Sequence, residues 1–223
     1  KRLEARCAGS PHVPSAQLKL GIIHYEAGRF NEAKRPLAKI PANHPLKADA
    51  DYFSAWTELD NGKPADAARK FKVLRERLAR SDAESGLIAE SYLYQGIAEF
   101  EARQYGTSAQ TLAGFLEAHG SHDKVDEGAF NLGLAHMELT QWDQAIGSFD
   151  QVDSASPIRD RALYQSAWSL LMQGFFNFHT KHTRACDFNI GTQVETHAHT
   201  RTRTHAHMHS RTHTRAHTHT YTH

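Results

Sequence analysis

The sequence predicts an all-α fold in which one helix–turn–helix unit is repeated along the chain. Two stretches align without gaps, "LGIIHYEAGRFNEAKRPLAKI" from Leu20 and "LGLAHMELTQWDQAIGSFDQV" from Leu132. Two further stretches, from Ser54 and Gln95, fit the same frame, and the first half of another begins at Ser166. Repetition of this kind is the sequence signature of a solenoid, so it decides the fold class before any single motif does.

Equivalent residues of neighbouring units are separated along the chain by a regular number of residues, which is enough for two helices and the turn between them. Gly28 and Gly62 lie 34 residues apart, and Gly96 and Gly133 lie 37 apart. Within each half unit the apolar residues recur at helical spacing. The sequence therefore predicts four complete units and the first helix of a fifth.

Each unit repeats the same set of residue sizes, and each size has a physical reason. A small residue on the first helix lets the second helix approach closely. These small residues are Gly21, Ala55, Gly96, Gly133 and Ala167, and their small partners on the second helices are Ala33, Ala67, Ser108 and Ala145. The large residues expected to fill the core of each unit are Leu37, Phe71, Leu112 and Phe149. Aromatic residues open the second helices at Phe30, Tyr105, Trp142 and Phe176, and Pro64 takes that place in the second unit.

This pattern resembles the tetratricopeptide repeat family over residues 14–176. The resemblance implies a right-handed solenoid whose first helices line a concave face and whose second helices lie outside. Residues 1–13 are interpreted as the remnant of a preceding repeat helix and its loop. The loose spacing and the stretch "AGSPHVPSAQLKLG" are also similar to bacterial cell-envelope members of the family, including those beside the Tol-Pal system.

The fifth unit begins normally and then loses the pattern. After "RALYQSAWSLLMQGFF" the chain reads "NFHTKHTRACDFNIGTQVET", which carries no apolar stripe for a second helix. The first helix of this unit therefore lacks its packing partner. We expect Tyr164, Trp168 and Leu171 to be partly exposed as a result.

Residues 177–223 are predicted to be a disordered, His/Thr-rich tail that is not native sequence. From residue 196 onward, His, Arg or Tyr alternates without exception with Thr, Ala, Ser or Met. Alternating His and Thr is what a CA dinucleotide tract encodes, so translated microsatellite DNA is the economical hypothesis. The His-x-His pairs could take up a transition metal adventitiously, but no defined fourth ligand accompanies them.

Composition and motifs exclude several classes of function. Residues 179–223 hold six Lys/Arg and two Asp/Glu, which leaves the body of the chain with a net charge of −3 and no sign of nucleic-acid binding. No phosphate loop, nucleophile elbow or HExxH motif is present, so we expect no enzyme, no cofactor and no metal site. His24 and His136 occupy equivalent places in two units and are interpreted as inter-helix residues. There is also no apolar run of the roughly 18 residues that a membrane-spanning helix needs.

Family geometry indicates which residues would meet a partner on the concave face. The apolar set is Ile22, Tyr25, Tyr52, Trp56, Leu93, Ile97, Phe100, Phe130, Leu134, Met137, Tyr164 and Trp168. Beside it stand four acids at one repeated place, namely Glu26, Asp60, Glu101 and Glu138. Each acid lies near the C-terminal end of its helix, where the helix dipole disfavours an anion by a few tenths of a kcal/mol.

Two interpretations of this face remain open at the level of sequence. In one, it is a groove for a peptide or protein segment with apolar anchors and basic residues. In the other, the aromatics pack within the array and the acids are simply solvated. The function predicted is a non-catalytic protein-interaction scaffold. The alternatives are a self-associating structural array of the cell envelope and a helper domain of a larger, truncated protein. The compartments considered are the bacterial periplasm or cell envelope and the cytoplasm, and the sequence does not decide between them.

Overall fold

The computed structural model describes residues 10–80 and 86–182, with only the backbone described for 176–182. These residues form nine helices and no strand, which confirms the all-α prediction. The helices are α1 (Val13–Glu26), α2 (Phe30–Ala38), α3 (Lys47–Asp60), α4 (Pro64–Leu78), α5 (Gly86–Glu101), α6 (Tyr105–Ala118), α7 (Val125–Glu138), α8 (Trp142–Asp150) and α9 (Arg159–His182).

The helices pack in chain order, as in a solenoid. Each helix lies against the next along the chain, both within a unit and between units. The first helices of neighbouring units (α1, α3, α5, α7 and α9) also touch one another, so they line one side of the array. The described residues therefore contain four successive helix pairs followed by α9.

Each of the first four units turns between its helices with the same capped geometry. The residue at the turn has a positive φ in all four units: Gly28 69°, Gly62 73°, Arg103 60° and Thr140 58°. The next N–H reaches back to a carbonyl five residues earlier, as from Arg29 to His24 at 2.9 Å. This is the Schellman arrangement, which satisfies the last carbonyls of the first helix and directs the chain into the second. Glycine tolerates this backbone best, so Arg103 and Thr140 adopt it at some cost.

The small residues on the first helices lie where second helices cross them closely. A Cβ atom at Gly133 would lie 2.4 Å from the ring of Phe149, and one at Gly21 would lie 2.5 Å from the side chain of Leu37. At Gly96 the corresponding distance to Leu112 is 2.6 Å. The large residues predicted to fill the units, Leu37, Phe71, Leu112 and Phe149, are 1% exposed or less. The sequence-based core is confirmed.

Replacing Gly133 by alanine is expected to destabilise the array by about 1–3 kcal/mol, because the new methyl group overlaps a rigid aromatic ring. The matched control is Gly147→Ala in α8, where a Cβ atom would meet nothing within 4 Å. That change is expected to stabilise the helix by about 0.5–1 kcal/mol through helix propensity. Urea denaturation of the two variants measures both effects, and equal behaviour of the pair would contradict the close crossing.

The fifth unit departs from the others at its turn. Gly174 occupies the place of Gly28 and Gly62, yet α9 continues through it and spans 24 residues to His182. The predicted end of the array at residue 176 therefore falls inside a helix, because no second helix folds back at this point. The expected exposure is confirmed, since Tyr164, Trp168 and Leu171 are 53%, 36% and 49% exposed.

The other end of the array also presents apolar side chains. Leu20 and Ile23 of α1 are 42% and 55% exposed. In the later units the equivalent face of the first helix packs against the second helix of the unit before it. Residues 1–9 of the predicted remnant (1–13) and residues 183–223 of the predicted tail (177–223) lie outside the described residues, whereas residues 177–182 of that tail belong to α9.

Candidate interaction surface

Most of the apolar residues predicted for the concave face, here called the apolar ladder, are buried between the helices rather than exposed on the surface. The exposures are Tyr25 5%, Tyr52 3%, Trp56 6%, Leu93 0%, Phe100 8%, Phe130 3% and Leu134 6%. These side chains lie on the first helices at the places where neighbouring units meet, so they contribute to packing. Their exposed area is too small for them to form a contact surface by themselves, so any such surface is formed by the residues beside them.

The centre of this packing is an aromatic cluster that joins the second and third units. The ring centroids of Trp56 and Tyr94 lie 4.5 Å apart, and those of Trp56 and Phe71 lie 6.0 Å apart in an edge-on arrangement. Tyr52 contacts the same three rings. Edge-to-face pairs of this kind add about 0.5–1.5 kcal/mol each beyond area burial. The cluster fixes the orientation of α3 relative to α5.

A second group of the predicted residues remains accessible on the side lined by the first helices. Ile22, Ile97 and Met137 are partly exposed, and each comes from a different unit. The acids at the repeated place are also accessible, with Asp60, Glu101 and Glu138 partly exposed and Glu26 exposed. Tyr164 and Trp168 are exposed as well, but they lie on α9 at the end of the array. The accessible part of this side is therefore acidic with isolated aliphatic side chains.

Two of the four acids accept a hydrogen bond from a tyrosine of the preceding unit. The hydroxyl of Tyr25 donates to Oδ2 of Asp60 at 2.6 Å. Burial, together with Asp60, raises the pKa of Tyr25, so its hydroxyl keeps the proton that it donates. Burial and the neighbouring Glu138 likewise raise the pKa of Tyr105, which shares a hydrogen bond with that carboxylate. These tyrosines hold the acids in place along the repeat.

Glu101 occupies the same place in the third unit but has no tyrosine. In the second unit, the positions equivalent to Tyr25 and Tyr105 are Leu59 and Pro64, neither of which has a hydroxyl group. Within the described part of the chain, no hydroxyl or basic side chain pairs with Glu101. Burial, and then the nearby charge of Asp60, raise the pKa of Glu101 to about 7. A carboxylate held in this way is typical of a functional position.

A structural carboxylate in the same array shows the opposite arrangement. Glu58 accepts hydrogen bonds from Lys34 at 2.7 Å and from Lys70 at 3.0 Å. Although burial opposes it, these two lysines hold the pKa of Glu58 below its usual value. The array therefore neutralises this carboxylate from its own side chains, whereas none of the described side chains supplies a cation to Glu101.

The two equivalent histidines have a structural role in the turns. Nδ1 of His24 accepts from Nε of Arg29 at 3.1 Å, and Nδ1 of His136 lies 2.7 Å from Oε1 of Gln141. Each histidine thus contacts the residue immediately before its second helix. Across residues 10–80 and 86–182 no cluster of His, Cys, Asp or Glu has the arrangement of a metal site. In the same part of the chain no helix is long and apolar enough to cross a bilayer.

Sequence reasoning identified the acids but did not distinguish Glu101 from the other three. The distinguishing signal is present in the repeat alignment, as Leu59 and Pro64 at the two tyrosine places. How far the pKa of Glu101 is raised depends on how deeply the helices bury its carboxyl group, and the periodicity of the sequence does not predict that depth.

Comparison with known proteins gives a family and a set of similar folds. Two models of the tetratricopeptide repeat match residues 18–83 and 127–157. A crystal structure of the MamA protein superposes with a TM-score of 0.62 at 20% identity, covering 78% of this chain and 89% of that one. A second MamA crystal structure gives 0.58 at 21% identity, over 73% and 89% of the two chains. A double mutant described as MamA RS-1 ArsTM gives 0.61 at 13% identity, over 77% and 91%.

These comparisons establish the type of fold and nothing finer. No curated protein matches the sequence. The identities to the MamA structures are too low to carry more than the shared solenoid. The predicted similarity to cell-envelope proteins of the Tol-Pal type is not among these findings and stays a prediction.

Proposed function

We propose that this chain, two parts of which match models of the tetratricopeptide repeat, is a non-catalytic scaffold that binds a segment of a protein partner along its first helices. Solenoids of this kind present an extended surface built from successive repeats, which suits a linear segment better than a small molecule. The observation that carries the proposal is the repeated carboxylate at Glu26, Asp60, Glu101 and Glu138, of which Glu101 lacks an internal cation.

The charge of the first helices supports a basic partner. Of the acidic residues on α3, α5 and α7, Asp51, Glu58 and Glu90 pair with Lys or Arg side chains of the array, while Asp60, Glu101 and Glu138 lie at the repeated place on the first helices. A lysine or arginine placed between Asp60 and Glu101 would meet two carboxylates at once. Charge-assisted hydrogen bonds of this type are shorter and roughly twice as strong as neutral ones.

The accessible aliphatic side chains define the rest of the partner. Ile22, Ile97 and Met137 lie in different units, so they offer separated contacts rather than one continuous apolar groove. A segment with basic residues and interspersed Leu, Ile or Val matches this alternation. The buried ladder supports the surface from beneath, since it holds the first helices in register.

The proposal is tested by titrating the full chain with two fluorescent peptides of matched length, one of Lys and Leu and one of Glu and Leu. The basic peptide is expected to bind at low salt and to weaken steeply with added salt, whereas the acidic peptide should not bind. Glu26→Gln should weaken the basic peptide by about 2–5-fold, the typical effect of one exposed charge.

The matched control is Glu117→Gln, which removes an exposed acid from the second helix α6. It leaves the first helices unchanged and should not alter binding of the basic peptide. Equal loss in both variants would show attraction by overall charge alone and would contradict a site on the first helices. Binding of both peptides with equal affinity would exclude the proposed partner chemistry.

A further inference from the structure

Helix α9 presents an apolar face, part of which the equivalent helices of the other units keep covered. Six of its large side chains are exposed: Leu163 47%, Tyr164 53%, Trp168 36%, Leu170 56%, Leu171 49% and Phe175 60%. At the place of Tyr164 the four earlier units have Leu18, Tyr52, Leu93 and Phe130, all exposed 3% or less. Tyr164 is thus a large apolar residue at a place where the earlier units bury one.

The opposite face of α9 already packs against the rest of the array. Ala162, Ser166 and Ser169 are buried at 0%, 8% and 0%, on the side that packs against α8. The exposed side includes Ala167, which is equivalent to Gly21 and Gly133, where second helices cross most closely. The face that is left open is the docking face for a second helix.

The course of α9 prevents its own chain from folding back in the usual way. The helix passes through Gly174, where the other units turn, and continues to His182. Residues 176–195, "FNFHTKHTRACDFNIGTQVE", contain no apolar stripe at helical spacing that could replace the missing helix. Residues 176–195 therefore do not supply the covering element, whereas a second copy of this chain can.

We propose that α9 pairs antiparallel with α9 of a second copy, so that each supplies the missing second helix of the other's fifth unit. The exposed residues follow two parallel rows at the alternating three- and four-residue spacing of a helix–helix seam, Leu163–Ala167–Leu170–Gly174 and Tyr164–Trp168–Leu171–Phe175. A two-fold axis beside residue 169 makes this surface self-complementary, as a symmetric dimer requires.

The size pattern favours this register. With the axis beside residue 169, Tyr164 faces Gly174 of the second copy, and Ala167 faces its Leu171. A large side chain then meets a small one at both positions, which is how packed helices interdigitate. In a parallel pair the same residues would face themselves, tyrosine against tyrosine and glycine against glycine.

The area is adequate for a reversible dimer. The aromatic side chains involved bury about 150–250 Å² each when fully covered, so six half-exposed large residues offer roughly 500 Å² per copy. Two copies would bury about 1,000 Å², the lower limit of specific interfaces. We therefore expect a dimer that dissociates on dilution to the micromolar range.

Sedimentation equilibrium of the full chain between about 1 and 200 µM tests the pairing. The mass should rise from the 25.0 kDa of one chain to twice that value. Leu170→Glu should abolish the rise, because it places a charge in the seam. The matched control is Val73→Glu on α4, which is 63% exposed and lies outside the seam, and it should leave the dimer intact.

The register is tested by cross-linking in a Cys7→Ser, Cys186→Ser background. A mixture of Tyr164→Cys and Gly174→Cys chains should form a disulfide-linked pair, whereas Tyr164→Cys alone should not, since its two sites would lie roughly 15 Å apart along the helices. A chain that stays monomeric at every concentration would overturn the proposal. So would a dimer unaffected by Leu170→Glu, or preferential linkage of Tyr164→Cys to itself.

Discussion

Replacing Phe71 by alanine is expected to lower the free energy of unfolding by about 3–5 kcal/mol, the typical cost of removing a fully buried aromatic side chain. Phe71 is 0% exposed and lies on α4 between the first helices of the second and third units. Its ring centroid is 5.9 Å from Tyr52, 6.0 Å from Trp56 and 6.1 Å from Tyr94. No other element can fill the space, because these three rings are held by their own contacts.

The measurement is urea unfolding followed by far-UV circular dichroism and by tryptophan fluorescence. Trp56 contacts Phe71, so in a background with Trp142→Phe and Trp168→Phe the fluorescence reports the cluster, while circular dichroism reports the whole array. Val73→Ala, two residues away and 63% exposed, is the matched control and should change stability by less than about 0.5 kcal/mol. A loss below about 1 kcal/mol for Phe71→Ala would show that the cluster does not hold the second and third units together.

A consequence for Trp56 and Phe100 follows from the same packing. Their replacement by alanine is not a test of partner binding alone. They are 6% and 8% exposed, so such variants would lose core packing as well. The accessible acids are the better probes of the surface, because their replacement removes charge without opening a cavity.

The repeat could be predicted from the sequence because the same residue sizes recur in every unit. Gly21, Gly96 and Gly133 are each followed sixteen residues later by a large core residue, and the structure shows each pair in close contact. The exposure of the ladder was harder to predict. Whether Trp56 faces a partner or Tyr94 depends on how closely neighbouring units approach, and that distance is not encoded in the spacing within one unit.

The turn in the fifth unit shows the limit of local signals. Gly174 has the residue type and the position of a turn, yet α9 runs through it. A glycine permits the left-handed backbone but does not enforce it, and a helix ends there only if a second helix packs back. The lack of an apolar stripe after residue 176, which the sequence does show, outweighs the glycine.

Glu101→Gln is expected to stabilise the array in a pH-dependent way. The pKa of Glu101 is raised from 4.5 to about 7, so the folded chain keeps a proton that the unfolded chain loses between these values. Stability therefore falls as the pH rises from about 4.5 to 7, and above pH 7 the full cost of burying the charge is present. That cost is up to about 3 kcal/mol at 1.36 kcal/mol per pKa unit. Glutamine removes it, so the variant should be more stable than the parent chain at pH 8 and nearly equal to it at pH 4.

Glu101→Gln also separates a structural role of Glu101 from a role in binding, because the variant is expected to raise stability and to weaken peptide binding. If Glu101 receives a basic residue of a partner, Glu101→Gln should weaken the Lys/Leu peptide at pH 8 while it raises the urea midpoint. A bound cation also favours the ionised carboxylate, so binding to the parent chain should tighten as the pH rises through 7. Glu117→Gln, the exposed control, should alter neither the midpoint nor the pH dependence of binding. A stabilised variant that binds the peptide unchanged would assign the raised pKa to packing alone and remove Glu101 from the proposed surface.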